Sequence, residues 1–209
     1  SSDVCSSDLE SEHDVRVFAL AVLMSTVFVY NSQSHLDEAA VQTLSLMTKI
    51  ADNIGSTEHS PTLYWVLRDF SLQLADDNGN GITHSEYLEQ SLNPPVQDKC
   101  RTREAIKTIF KKRHLVTLPR PHKGENAQKL DGKGASAISA KFEKFLNQFK
   151  KHVMENCSEM KANGIPMTGH VYGTFVNDIL QKMNQDGCVP RIEDSWSLLI
   201  RTQSYELQR

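Results

Sequence analysis

The feature that most constrains the fold is the stretch at residues 63–72, an apolar run of strand length that ends abruptly in Arg68 and Asp69. A loop rich in Gly and Asn follows within a few residues. In open α/β sheets, ligands bind at the carboxyl ends of the strands, where such side chains are presented. Arg68 and Asp69 are therefore candidates to bind a ligand through hydrogen bonds. The alternative is a solvated pair that closes a strand.

Composition limits the kind of protein. The chain has 209 residues, of which 39% are hydrophobic and 23% charged, as in soluble globular domains. A net charge of -3 disfavours a general binder of nucleic acid or of membrane surfaces. The 4 cysteines are far apart and form no CxxC pair. We therefore expect neither a disulfide framework nor a zinc site, and a reducing, cytoplasmic location.

The pattern of apolar residues predicts a βαβ unit. Residues 27–30 are β-branched or aromatic and predict a strand. Residues 36–54 carry apolar side chains at steps of three and four, which predicts a helix capped by Ser34 and ended by Gly55. With the strand at residues 63–67, this order implies parallel pairing.

Further elements follow on both sides of this unit. Residues 15–24 favour a helix, and Thr83 with Glu86 predicts a capping box at the start of a short helix over residues 85–92. Another helix over residues 101–112 and a third strand over residues 114–118 come next. No strand is expected after Leu118, where apolar stripes predict three helices, with a boundary near residues 162–164.

The loop at residues 76–86 raises the alternative of a calcium-binding module. Asp76, Asn78, Asn80 and Gly81 match the first positions of an EF-hand loop. However, Glu86 falls at position 11 rather than 12, which turns the closing carboxylate away from the ion. A polar turn that leads into a capped helix explains the same residues.

Other motifs of chemistry are weak or missing from these 209 residues. Six cations lie between residues 101 and 113, but only Phe110 interleaves with them, so a solvated helix face explains them better than a nucleic-acid patch. The 8 histidines show no HExxH spacing, and we expect no metal site. There is no GxSxG motif and no GxxxxGK followed by Ser or Thr.

Several segments together resemble the guanylate-binding proteins, which are dynamin-like large GTPases related to the atlastins. Residues 18–32 resemble the segment after the DxEG switch motif of that family, and residues 65–70 resemble its guanine-specificity motif, in which Arg-Asp replaces Asn-Lys-x-Asp. Residues 86–92 match the next helix, and Arg120-Pro121 resembles the opening of the guanine cap. Pro119 departs from the acidic residue that often precedes Arg-Pro in animal members, which puts a cap contact by that acid in doubt.

The resemblance implies an α/β fold. It would be the rear part of a P-loop GTPase-type parallel sheet with flanking helices, followed by the start of an all-helical domain. Residues 1–9 resemble translated adapter sequence and are expected to be a non-native leader. Residues 10–160 would be the C-terminal part of the large GTPase domain, and residues 161–209 the start of the helical middle domain.

The resemblance also implies the chemistry. Arg68 and Asp69 would bind guanine, with the Asp69 carboxylate accepting both N1–H and the 2-amino group and Arg68 flanking the base. Arg120, Pro121 and His122 would open the cap over the base. GTP or GDP would be the ligand, with Mg²⁺ in the intact protein. The phosphate-binding loop and switch motifs would lie upstream, so catalytic residues are expected outside this chain and the fragment is expected to be inactive.

Partners follow from the same resemblance. We expect a homodimer that forms through the nucleotide face and no binding of nucleic acid. Membrane association through missing C-terminal parts is compatible with the resemblance. Besides the calcium module, a non-enzymatic interaction protein that uses the helices after Gly164 stays open as an alternative.

Overall fold

The computed structural model describes residues 3–42, 44, 60–71, 73–75, 79–93, 101–122, 138–162 and 165–186, with backbone only at 3–12, 162 and 186. The helices in this part of the chain are α1 (Asp3–Met24), α2 (Glu38–Gln42), α3 (His84–Leu92), α4 (Arg101–Ile109), α5 (Ala140–Asn156) and α6 (Gly169–Asp186). The strands are β1 (Val27–Gln33), β2 (Thr62–Arg68), β3 (Arg113–Thr117), β4 (Lys161–Ala162) and β5 (Ile165–Pro166).

The three long strands form one parallel sheet in the order β1-β2-β3. Register pairs Val27 with Thr62 at one end and Gln33 with Arg68 at the other. The predicted strands and their parallel pairing are confirmed, although β1 continues three residues beyond the predicted end at Tyr30. Because β2 is central, residues 63–67 are all buried.

Alternate residues of β2 point to opposite faces of the sheet, and both faces are covered, as parallel sheets require. Leu63, Trp65 and Leu67 belong to the main core, together with residues of α1, α3, α4 and α6. On the opposite face, Tyr64 stacks on His114 with ring centroids 5.0 Å apart and meets Phe149 of α5 edge-on at 5.8 Å. α5 therefore lies on the face that the main core does not use.

The start of α2 differs from the prediction. Ser34 does not cap this helix; it has a positive φ of 68°, and its N–H donates to the Arg68 carbonyl at 2.8 Å. Asp37 takes the capping role, since its Oδ1 accepts from the Ala40 N–H at 2.8 Å. The predicted continuation to residue 54 lies outside the described residues.

The capping box at α3 is confirmed. Thr83 Oγ1 accepts from the Glu86 N–H at 3.2 Å, and Glu86 Oε2 accepts from the Thr83 N–H at 2.7 Å. The helix ends at Leu92, followed by the C-cap Asn93. Propensity and spacing were sufficient here because the whole motif is local.

Two cations of the basic segment are not solvated. The Arg103 side chain is only 9% exposed, pairs with Glu38 of α2 and donates to the Ser91 carbonyl at 3.1 Å. Arg113 bonds Glu89 at 3.0 Å and the Phe110 carbonyl at 2.7 Å. The prediction of a solvated face is therefore wrong for these two residues, because their acidic partners are distant in sequence. The inward placement of Ile106, Ile109 and Phe110 is confirmed.

The chain after Leu118 contains strands, contrary to the prediction. β4 and β5 pair in an antiparallel hairpin of two residues per strand, next to the predicted boundary at residues 162–164. α6 then buries Val171, Phe175, Ile179 and Met183 in the main core. Its Tyr172 hydroxyl donates to the Met24 carbonyl of α1 at 2.9 Å. The predicted last helix, from Ile192 onward, lies outside the described residues.

The first helix is confirmed over residues 15–24, and α1 extends upstream to Asp3. It therefore includes part of the stretch interpreted as a non-native leader, and that interpretation stays a prediction. None of the described helices combines the length and the apolar character needed to cross a bilayer.

Candidate functional site

The site begins where β2 and β3 end at the same edge of the sheet. The Leu118 N–H donates to the Leu67 carbonyl at 2.8 Å, and the Phe70 N–H donates to the Leu118 carbonyl at 3.1 Å. These two bonds hold the segments that leave the strands side by side. Residues 69–71 and 119–122 are thereby brought together, as the carboxyl edge of a parallel sheet predicts.

A cavity of about 640 Å³ opens between these segments and the start of α5. Its size falls within the range of small-molecule sites. Of the described residues, it is lined by Asp69, Phe70, Ser71, Pro119, Arg120, His122, Ser139 and Lys141. Three residues singled out from the sequence, Asp69, Arg120 and His122, thus share one cavity.

Asp69 is the acid of this lining. It is half-buried and has a positive φ of 57°, a left-handed conformation that Asp tolerates better than most residues. Its Oδ2 accepts from the Gln33 Nε2 at 3.1 Å. An ionised carboxylate has about four acceptor positions. In the described part of the chain, Gln33 takes one of these positions, which leaves the others for a ligand in the cavity.

Arg68 and Pro121 lie next to the cavity without lining it in the described part of the chain. Arg68 ends β2 with an exposed side chain, and its carbonyl accepts from the Ser34 N–H. The Pro121 carbonyl accepts from the Ser139 N–H at 2.9 Å. Pro121 thus joins the segment of residues 119–122 to the start of α5 through its backbone.

His122 supplies a polar atom without a visible role in the fold. Its Nε2 is buried and has no hydrogen-bond partner among the described residues. Buried polar groups are nearly always paired, so an unpaired one calls for an explanation. His122 also lines the cavity, so its Nε2 is a candidate contact for a polar ligand atom.

Sequence reasoning missed Gln33, Ser139 and Lys141. Ser139 caps α5, since its Oγ accepts from the Phe142 N–H at 3.3 Å, and Lys141 follows in the first turn. A Ser before an apolar-periodic run is a capping signal, so Ser139 could have been found. The position of Ser139 in the same cavity as Asp69 could not have been found in this way, because 69 residues separate the two along the chain. With Arg120, Lys141 makes the cavity a mixture of one acid and two cations.

The calcium alternative loses its closing ligand. Glu86 uses its carboxylate in the capping box, and the bond from the Thr83 N–H holds the pKa of Glu86 below its ordinary value of 4.5. Ala75 and Gly81 form an antiparallel bridge around the loop, whose residues 76–78 lie outside the described part. In the residues searched, no group of three or more His, Cys, Asp or Glu could hold a metal ion.

The same finding applies to Mg²⁺. Mg²⁺ sites use carboxylates together with substrate phosphates. Among the described lining residues Asp69 is the one acid, and it lies beside two cations. These residues do not fit a magnesium site, so we assign no step of chemistry to a metal here.

Comparisons with known proteins agree with the resemblance. The family model "Guanylate-binding protein, N-terminal domain" matches residues 1–162. Human guanylate-binding protein 6 (Homo sapiens) is 31% identical over 227 residues, covering 96% of this chain and 35% of the relative. Guanylate-binding protein 6 of Mus musculus is 29% identical over 218 residues, covering 93% of this chain and 35% of the relative.

A third relative gives the same picture. Human guanylate-binding protein 4 is 30% identical over 216 residues, covering 92% of this chain and 33% of the relative. The chain thus spans about a third of the length of the curated relatives it matches. With a family model that matches residues 1–162 and with these relatives, the chain belongs to the guanylate-binding protein family.

Proposed function

We propose that this chain supplies guanine recognition to a large GTPase that binds and hydrolyses GTP. The guanine base of GTP or GDP occupies the cavity at the end of β2. The observation that carries the proposal is the Asp69 carboxylate in a cavity of about 640 Å³ beside Arg120 and His122. Membership in the guanylate-binding protein family supports the same ligand.

The chemistry of the cavity matches the edge of guanine. Guanine presents two parallel donors, N1–H and the 2-amino group, and one carboxylate accepts both in a charge-assisted pair. Adenine has no N1–H, so it would leave the half-buried Asp69 carboxylate partly unpaired, at a cost on the order of 1–3 kcal/mol. Arg120, Lys141 and the His122 Nε2 are candidate partners for the acceptors N7 and O6.

Arg68 and the segment of residues 119–122 complete the proposed site. The exposed guanidinium of Arg68 flanks the base from the rim, where its planar group stacks on a ring. Arg120, Pro121 and His122 open a cap over the base, which the bond from the Ser139 N–H to the Pro121 carbonyl ties to α5. In the GTP-bound form this face meets the same face of a second copy.

We also propose how the chain divides and what it leaves to the rest of the protein. Residues 10–160 form the rear of the GTPase domain, and residues 161–209 begin the helical middle domain. Phosphoryl transfer depends on a phosphate-cradling loop and Mg²⁺. These 209 residues contain no GxxxxGK followed by Ser or Thr, so the proposal assigns hydrolysis to segments outside them.

The alternative functions receive no comparable support. Glu86 is engaged in the α3 cap, which leaves the calcium module without its closing carboxylate. The apolar stripe of α6 is buried in the core rather than presented to a partner.

Competition binding tests the proposal in the natural protein, including any sequence that flanks these residues. A fluorescent GDP analogue is displaced by GDP, IDP and ADP. We expect ADP to bind more weakly than GDP by about a hundredfold, the equivalent of roughly 3 kcal/mol from two charge-assisted bonds. Equal affinities for GDP and ADP would contradict guanine recognition.

A further inference from the structure

Within the described residues, the side chain that donates a hydrogen bond to the Asp69 carboxylate is that of Gln33. The bond runs from Nε2 to Oδ2 over 3.1 Å and joins residues that are 36 positions apart. Gln33 is the last residue of β1, and register pairs it with Arg68, the residue before Asp69. The contact therefore bridges the ends of two neighbouring strands, and one of its partners, Asp69, lines the cavity.

The backbone around this contact is fixed on both sides. The Ser34 N–H donates to the Arg68 carbonyl at 2.8 Å, directly after Gln33. Both Ser34 and Asp69 have positive φ, at 68° and 57°. These two left-handed residues directly follow the last register pair, so β1 and β2 turn away from the sheet at the same position. Gln33 and Asp69 thus leave their strands with their side chains in reach of each other.

An unrestrained Asp side chain does not hold one orientation, because the rotation of its carboxylate about χ2 is broad. A carboxylate that accepts hydrogen bonds from two parallel donors must hold both of its oxygens in the plane of the base. A bond to one oxygen from a group on a separate strand restricts this rotation. It uses one lone pair of Oδ2 and leaves the others for a ligand.

We infer that Gln33 is a positioning residue for guanine recognition, which orients the Asp69 carboxylate so that both of its oxygens face the donor edge of the purine. The inference rests on the proposed function of the cavity. It concerns the second of the two hydrogen bonds in particular, because a rotated carboxylate still accepts from N1–H but loses the 2-amino group.

The consequence is a specific change in ligand preference. Inosine nucleotides keep N1–H and lack the 2-amino group. Loss of the Gln33 amide therefore weakens GDP binding and spares IDP binding. If the role of Gln33 were merely structural, its loss would lower the affinities for both nucleotides by the same factor. The ratio of the two affinities therefore separates the two roles.

The experiment compares Gln33→Leu with Gln42→Leu in the natural protein with its flanking sequence. Gln42 is a matched control: it is also exposed and donates from Nε2 to a carboxylate, that of Glu38, at 3.0 Å and away from the cavity. We expect Gln33→Leu to lower the GDP to IDP affinity ratio by about fivefold, in line with the net contribution of a typical intramolecular hydrogen bond. Gln42→Leu leaves the ratio unchanged.

A second variant strengthens the reading. Gln33→Glu places a carboxylate against Asp69, and repulsion turns the Asp69 side chain away, so the ratio falls further than in Gln33→Leu. An unchanged ratio in both Gln33 variants, or equal losses for GDP and IDP, overturns the inference. Asp69→Asn separates this failure from failure of the site: if that variant also keeps wild-type preference, the proposed function itself is wrong.

Discussion

Two acidic residues in similar sequence surroundings behave differently in this fold. Glu86 at the start of α3 and Asp69 at the end of β2 both lie beside polar turns that suggest a ligand. The Glu86 carboxylate accepts the Thr83 N–H of its own helix. The Asp69 carboxylate accepts from Gln33 on another strand and lines a cavity. An acid is available to a ligand when its own backbone does not use it.

The difference has a geometric origin. A residue at the third position of a helix is close to the N–H of the capping residue, so the bond forms within one turn. Asp69 leaves its strand in a left-handed conformation, which turns its side chain out of the ladder. If the two regions differ in function as they differ in geometry, substitutions at Asp69 and at Glu86 should have different effects on nucleotide binding.

The largest expected effect is that of Asp69→Asn on nucleotide preference. The amide cannot accept both guanine donors, so GDP affinity falls by about a hundredfold, or roughly 3 kcal/mol. The affinity for xanthosine diphosphate, whose ring has a carbonyl in place of the 2-amino group, should rise relative to the affinity for GDP. Calorimetric titration with both nucleotides measures the change.

Glu86→Gln is the matched control for this variant. It removes an acid from the α3 cap and should leave GDP affinity within error of wild type. A loss of GDP binding in Glu86→Gln as large as in Asp69→Asn would erase the distinction between the two regions.

Paired cap deletions give a smaller effect. Thr83→Ala and Ser139→Ala each remove a side chain that caps a helix, and each should lower the free energy of unfolding by about 1 kcal/mol. Of the two variants, only Ser139→Ala should also lower the affinity for GDP, by about threefold, because fraying of the first turn of α5 moves Lys141. Urea denaturation and GDP titration of both variants supply the two measurements. Equal GDP affinities would remove α5 from the site.

The pH dependence of stability isolates Glu86. Its folded pKa lies below its ordinary value of 4.5, since the Thr83 N–H favours the charged form. Its contribution is therefore present above that value and is lost as pH falls through the folded pKa. The stability difference between wild type and Glu86→Gln should disappear in acid. A difference that persists unchanged below the folded pKa would contradict the cap as its source.

The smallest expected effect is that of Ca²⁺. With Glu86 held in the cap, calorimetry should show millimolar or no affinity. Micromolar binding that Glu86→Gln abolishes would restore the calcium module.

Local signals predicted much of this structure. The three strands follow from apolar runs bounded by polar turns, and the capping box at Thr83 and Glu86 follows from spacing alone. Parallel pairing explains in advance why Asp69 and Arg120 line the same cavity, since both follow strand ends at one edge of the sheet.

Other features depend on contacts that no local pattern encodes. The positive φ of Ser34 displaces the cap of α2 to Asp37, and this conformation accompanies a bond to Arg68 on the neighbouring strand. Arg103 is buried because Glu38 lies opposite it, 65 positions away. The contact of Gln33 with Asp69 likewise depends on strand register.

We propose that the Asp69 carboxylate binds guanine in the cavity at the end of β2, and a crystal structure of the natural protein with GDP would show this contact or its absence. We expect both carboxylate oxygens to lie about 2.7–3.1 Å from guanine N1 and N2, with Arg120 and His122 around the base. A base bound elsewhere, or an Asp69 carboxylate turned away from the purine, would contradict it.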